Sequence, residues 1–168
     1  MKTIKIISVF LFFVSCSAQK QALKISVGIC KQNIEFYNNK KAKVSEKRAN
    51  KIRKELIKKE KLTFISLEDF LYIIEGYDFE TDKTYTKIWN SKEKINFISD
   101  KKSYKIVTNL YSDDLINLIE DWNIKELDKK KGTALDGLDL YIYKVLFNEK
   151  GKIKSIKRYN ISGYGEIK

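Results

Sequence analysis

After Asp82 the chain is written in twos. Thr84 to Trp89, Lys94 to Ile98 and Tyr104 to Thr108 alternate between side chains for one face and the other, which is the period of a β-strand. Asn90-Ser91-Lys92 and Ser99-Asp100-Lys101-Lys102 separate them, turn chemistry suited to an antiparallel meander. Leu138 to Phe147 is richer still in Tyr, Ile, Val and Leu, with apolar residues on both faces as in a central strand. Asn148-Glu149-Lys150-Gly151 turns it into Lys152 to Asn160, a hairpin with Gly available for a left-handed position.

The remaining segments are read by the same rule. Leu23, Ile25, Val27 and Ile29 alternate, predicting a strand with Cys30 on its other face. From about Ser45 a helical period places Ala49, Ile52 and Leu56 on a narrow apolar stripe, and Lys47, Lys51, Lys54, Lys58 and Lys61 opposite it. Ser66 with Asp69 reads as a capped start to a short helix carrying Leu67, Phe70, Leu71 and Ile74, stopped by Gly76. Ser112, followed by Asp113 and Asp114, begins another, with Leu115, Leu118, Ile119 and Trp122 on one face and Asn117, Glu120 and Asp121 outward. The expected architecture is α+β: an antiparallel sheet of about five or six strands with two or three helices packed on one face. There is no Pro, no repeat and no Gly/Ser linker, so one domain is expected over residues 23–161, with a polar end at 162–168.

The N-terminus carries an address. Lys2 and Lys5 precede an apolar stretch from Ile6 to Val14 that is too short to span a bilayer, which takes about 20 residues. Phe13-Val14-Ser15-Cys16 resembles the lipobox of bacterial lipoprotein signal peptides, with Phe13 where Leu is usual. The resemblance implies a signal peptide over 1–15, lipid attachment at Cys16 and a short tether over 16–22. The alternative is cleavage after Ala18, since Cys16-Ser17-Ala18 also fits the small-x-small pattern of ordinary signal peptidase and leaves Gln19 first. Either cut leaves Cys30 alone, so the mature chain holds no internal disulfide and its core stands on packing.

Charge is the next constraint. The chain carries +12, and loss of Lys2 and Lys5 leaves +10. Most of the excess lies between Lys40 and Lys61, where eleven basic residues face Glu46, Glu55 and Glu60. Lys outnumbers Arg 31 to 3. Arg is the residue that forks onto phosphates and guanines, so nucleic acid is not an expected partner.

Catalytic chemistry has little to start from. The sequence contains no His, which removes the commonest general base and the Ser-His and Cys-His nucleophile pairs, and leaves Cys30 without an activator. Glu68/Asp69, Asp113/Asp114 and Glu120/Asp121 are adjacent acids that diverge on a helix, and the caps and solvent faces account for them. Asp78-Phe79-Glu80-Thr81-Asp82 alternates acids but lacks the Gly and distal Glu of a calcium loop, and reads as a polar connection. Asp136-Gly137 with Asp139 reads as a turn. No cofactor and no metal are expected.

The expectation is therefore an exported, membrane-anchored binding module of the bacterial cell envelope, on the periplasmic side or at the outer membrane, or a soluble periplasmic or secreted protein if cleaved after Ala18. Its basic helix, Lys47, Lys51, Lys54, Lys58 and Lys61, would meet anionic lipid, anionic glycan or an acidic protein. The alternative is a protein–protein module, such as an inhibitor, immunity or assembly subunit, and after that a carboxylate-based hydrolase. Trp89, Trp122 and the ten Tyr offer rings for a sugar or peptide site, though each also fits the sheet or core.

Overall fold

The computed structural model describes residues 20, 22–35, 40–60, 70–78, 80–100, 102–132, 138–148 and 153–165. The chain divides into two compact units, Met1–Leu67 and Glu68–Lys168. In the first, a helix over residues 22–35 (α1) is followed by α2 at Lys40–Lys59.

The strand expected at Leu23 to Ile29 is thus corrected to a helix. Its buried side chains are Ala22, Ile25, Ser26, Ile29, Cys30 and Asn33, spaced by threes and fours as on one helical face. Ile25 and Ile29 fit both periods. The deciding members, Ser26 and Asn33, are polar and give no hydrophobic signal.

In α2, Ile52, Leu56 and Ile57 are buried, but so are Glu46 and Arg53. Arg53 Nη2 donates to Glu46 Oε1 at 2.5 Å, and Asn33 Nδ2 donates to Glu46 Oε2 at 2.7 Å. Ser26 Oγ donates to Asn50 Oδ1 at 2.7 Å and accepts from Arg53 Nε at 3.3 Å. All but the Arg53–Glu46 bond, which lies within α2, run between α1 and α2. A buried charge is tolerated only when paired and hydrogen-bonded, so this network fixes which residues of the two helices face each other.

The second unit is a six-stranded antiparallel sheet with two helices among the described residues. The strands are β1 (Phe70–Asp78), β2 (Lys83–Trp89), β3 (Lys94–Ser99), β4 (Tyr104–Val107), β5 (Leu138–Phe147) and β6 (Ile153–Tyr164), in spatial order β4-β3-β2-β1-β5-β6. The meander and the final hairpin stand as expected. Asn90 Oδ1 accepts the N–H groups of Lys92 and Glu93, and Asp100 Oδ1 those of Lys102 and Ser103, so each turn is closed by its own side chain. β6 runs on to a buried Tyr164, past Ile161 where the domain was expected to end.

The helix expected from Ser66 through Ile74 is corrected to β1; Ser66, Leu67 and Asp69 lie outside the described residues. β1 is an interior strand, between β2 and β5, with Leu71, Ile73, Ile74, Glu75 and Gly76 buried. A strand covered on both faces reads as an apolar run without alternation, which imitates a buried helix.

Between β4 and β5 lie α3 (Asp113–Glu120) and α4 (Ile124–Asp128). Ser112 caps α3 as expected, accepting from Leu115 N, and Asn123 caps α4, accepting from Glu126 N. Leu115, Ile116 and Ile119 of α3 join Ile74, Trp89, Leu110, Tyr111, Leu127, Leu140, Ile142, Ile161 and Tyr164 in one core. Tyr111 is fully buried, and its hydroxyl donates to the Tyr85 carbonyl at 2.5 Å and accepts the Gly76 N–H at 3.1 Å. A Cβ at Gly76 would lie 3.0 Å from that hydroxyl and 2.9 Å from Leu138 and Leu140 methyls, so this strand position is left bare for close approach.

Candidate functional site

Two groups of side chains have the composition of a binding surface, one in each unit. In the first, Lys47, Lys51 and Lys58 are exposed and Lys54 is half-buried; Lys61 and Cys16 lie outside the described residues. Lys40, Arg48 and Lys59 are exposed on the same helix. Burial of Glu46 against Arg53 takes one carboxylate and one guanidinium off the surface together, leaving a cation-rich face with only Glu55 and Glu60 as exposed acids. The Lys51–Glu55 pair, 4.0 Å apart and open to water, neutralises little. Val44, 41% exposed, sits four residues before Arg48 and seven before Lys51, so an apolar side chain lies within the basic stripe.

Cys30 is 7% exposed, more deeply buried than the half-buried role expected for it. Burial pushes its thiol up in pKa, and Glu46 adds to that against the lowering effect of Arg53, Lys54 and Lys47. It is a poor nucleophile by placement. In native protein it should react with an aromatic disulfide reagent at pH 8 at least about tenfold more slowly than in urea; equal rates would show that the α1–α2 packing is open.

In the second unit the pairing register assembles what no sequence spacing shows. Lys94 of β3 pairs with Trp89 of β2, Trp89 with Tyr72 of β1, Tyr72 with Lys144 of β5, and Lys144 with Lys157 of β6. One cross-sheet row therefore reads Lys-Trp-Tyr-Lys-Lys, on the face that carries α3. Tyr72 stacks on Trp89 with ring centroids 5.4 Å apart, and Phe70 lies 6.3 Å from Tyr72. The Lys144 ammonium sits 4.2 Å over Phe70, 5.2 Å over Tyr72 and 6.0 Å over Trp122, and Lys87 lies 5.6 Å over Trp89. These are cation–π distances.

The end of α3 closes one side. Trp89 Nε1 donates to Glu120 Oε1 at 2.7 Å, and the Tyr72 hydroxyl donates to the Glu120 carbonyl at 3.1 Å. Burial, then Glu120 and Asp121, push the Tyr72 phenol up in pKa. Burial and then Lys94 push Lys87 down, opposed by Asp113 and Glu120. Phe70, Tyr72, Trp122 and Lys144 are each half-buried, Glu120 and Asp121 exposed, and Trp89 buried. The carboxyl of Glu120, outward by helical period as expected, is thus also the anchor of the indole.

The acids weighed for metal or hydrolysis are placed as follows. Asp78 accepts the N–H groups of Glu80 and Thr81 and the Thr81 hydroxyl, and Asp82 accepts from the Tyr77 hydroxyl, so these two acids serve the turn, while Glu80 is exposed. Asp113 and Asp114 are exposed in the first turn of α3. Glu68, Asp69, Asp136 and Gly137 lie outside the described residues. Among those residues no three Asp, Glu or Cys groups gather as metal ligands, and no helix is long and apolar enough to cross a membrane. Comparison with protein-family models, with curated proteins and with solved structures found no match.

Proposed function

We propose that this protein is a non-enzymatic binding module of the bacterial cell envelope, lipid-anchored at Cys16, whose α2 face engages acidic lipid head groups. The observation behind this reading is the segregation of charge in α2. Glu46 is sequestered with Arg53, while Lys47, Arg48, Lys51, Lys58 and Lys59 remain exposed. Each Lys near an anionic bilayer contributes about 1 kcal/mol, within a Debye length of the surface. The soluble chain, lacking residues 1–18, should bind vesicles of mixed neutral and anionic phospholipid and ignore neutral vesicles. Lys47, Lys51, Lys54 and Lys58 changed together to Gln should weaken that binding at least about tenfold and flatten its salt dependence. Unchanged binding in the quadruple variant would remove the basic face from the account.

A protein–protein role has one specific feature in its favour. β6 is a twelve-residue edge strand, the kind of element to which a partner's extended segment can add, although near its end the Ser162 carbonyl already accepts the Gly132 N–H.

A further inference from the structure

The bonds between α1 and α2 fix the direction in which the two helices run. Ser26 is bonded to Asn50 and Arg53, and Asn33 to Glu46, so residue numbers rise along α1 as they fall along α2. The helices are antiparallel, and the start of α1 lies beside the C-terminal half of α2. α1 also carries a basic stripe of its own. Lys24 and Lys31 are exposed on it, with Lys20 exposed just ahead, and steps of four and seven residues keep all three on one side, around the half-buried Val27. That side lies opposite the buried Ala22, Ile25, Ser26, Ile29 and Asn33. Lys20 and Lys24 therefore share one end of the hairpin with Lys58 and Lys59 of α2, where Glu55 and Glu60 are the exposed acids.

From this we infer that the bilayer met by the basic face is the one that holds the protein's own anchor: α2 and the stripe of α1 lie on that same membrane and do not bridge to a second surface. The inference rests on the acidic-lipid reading of α2 and the anchor at Cys16 given above. Six residues separate Cys16 from Ala22, and six residues span about 20 Å at full extension. An anchor at Cys16 therefore holds the start of α1, and the end of α2 beside it, within about 20 Å of the head groups. α2 has twenty residues and is about 30 Å long. Its exposed cations run that whole length, from Lys40 to Lys59, in a sector centred on Val44 and opposite the buried Glu46, Arg53 and Ile57, so the helix can lie flat with all of them at the surface. Among the described residues of α2, Val44 is the only large apolar side chain exposed, so the face rides on charge and does not insert. The tether makes such weak attraction sufficient. A second contact made through a short linker is intramolecular, with an effective concentration on the order of millimolar.

The test uses the chain of residues 16–168, coupled through Cys16 to a maleimide-bearing phospholipid in vesicles of phosphatidylcholine, with or without phosphatidylglycerol. Cys30, 7% exposed, is too buried to compete for the coupling. Lysines are acetylated briefly with a water-soluble reagent and read by peptide mass spectrometry, with Lys154 of β6, exposed in the sheet unit, as the internal control. Lys24, Lys47 and Lys51 should react at least about fivefold more slowly on the anionic vesicles than on the neutral ones, at dilutions where vesicles do not cluster, with Lys154 unchanged. That protection should persist at salt concentrations that release the soluble chain. The inference is overturned if the three lysines react alike on both vesicles, or if Lys154 is protected as strongly as they are. It is equally overturned if protection appears only when unanchored anionic vesicles are added and clustering follows, since that is contact with a second membrane. Vesicle binding by the soluble chain is read alongside. Its absence, with no protection either, removes the membrane reading of α2 as a whole, whereas its presence without protection on the anchoring membrane overturns this inference alone.

Discussion

Glu46→Ala should destabilise the helical unit by about 3–5 kcal/mol, the largest effect expected of any substitution in α2. The Glu46 and Arg53 side chains are 6% and 3% exposed, so removal of the carboxylate takes the Glu46 acceptor away from a guanidinium that is buried. Asn33 loses its acceptor at the same time. The cost lies in weakening the compensation of a buried charge rather than in the worth of the pair. The double replacement Glu46→Leu with Arg53→Met should therefore recover most of the loss, because apolar groups of similar volume need no partner. Urea unfolding followed by circular dichroism at 222 nm reads both variants. A Glu46→Ala shift of less than about 1 kcal/mol would mean that Arg53 reaches solvent and that the network is not closed.

Tyr111→Phe comes next, at about 2–4 kcal/mol, from roughly 1–3 kcal/mol for each buried backbone group left without a partner. Phe keeps the ring and its packing, so the change reports on the hydroxyl alone. That hydroxyl serves the Tyr85 carbonyl and the Gly76 N–H of adjacent strands. The variant carries a second signature in its pH dependence. Burial holds the Tyr111 phenol well above its ordinary value of 10.0. Above that pH the unfolded chain sheds a proton that the folded chain keeps, so stability falls as pH rises from the unfolded value toward the folded one. Tyr111→Phe lacks this component, and the gap between the two proteins should narrow between about pH 9 and pH 11. A gap that stays constant would mean that the phenol ionises freely in the native state.

Much of the sheet is legible from local pattern because its signals are local. β2, β3 and β4 alternate in period two between turns closed by Asn90 and Asp100, and β5 and β6 form a hairpin. α3 is legible for the same reason, since Ser112 and the acids behind it satisfy the first-turn N–H groups whatever the rest of the chain does. The lysine face of α2 also follows from spacing alone, because charged side chains sort to solvent.

The elements that escape that reading are those whose identity is set by neighbours. β1 carries apolar residues at helical spacing, and only its insertion between β2 and β5 makes it a strand. α1 carries them at alternating spacing, and only Ser26 and Asn33, held by Asn50 and Glu46 of α2, close its helical face.

The candidate site of the sheet unit divides the same way. Sequence alone supplied the rings, the lysines and Glu120, and determined the strands that bear Trp89 and Lys144, though not β1, which bears Phe70 and Tyr72. It held nothing to say that residues 70, 72, 89, 122 and 144 meet. Strand order and register decided that, by setting Lys144 opposite Tyr72 and Tyr72 opposite Trp89, while the left-handed turn at Trp122 brought its indole to the same ammonium. A side chain's period is written in its near neighbours, whereas its partners across a sheet are chosen by the free energy of the whole fold.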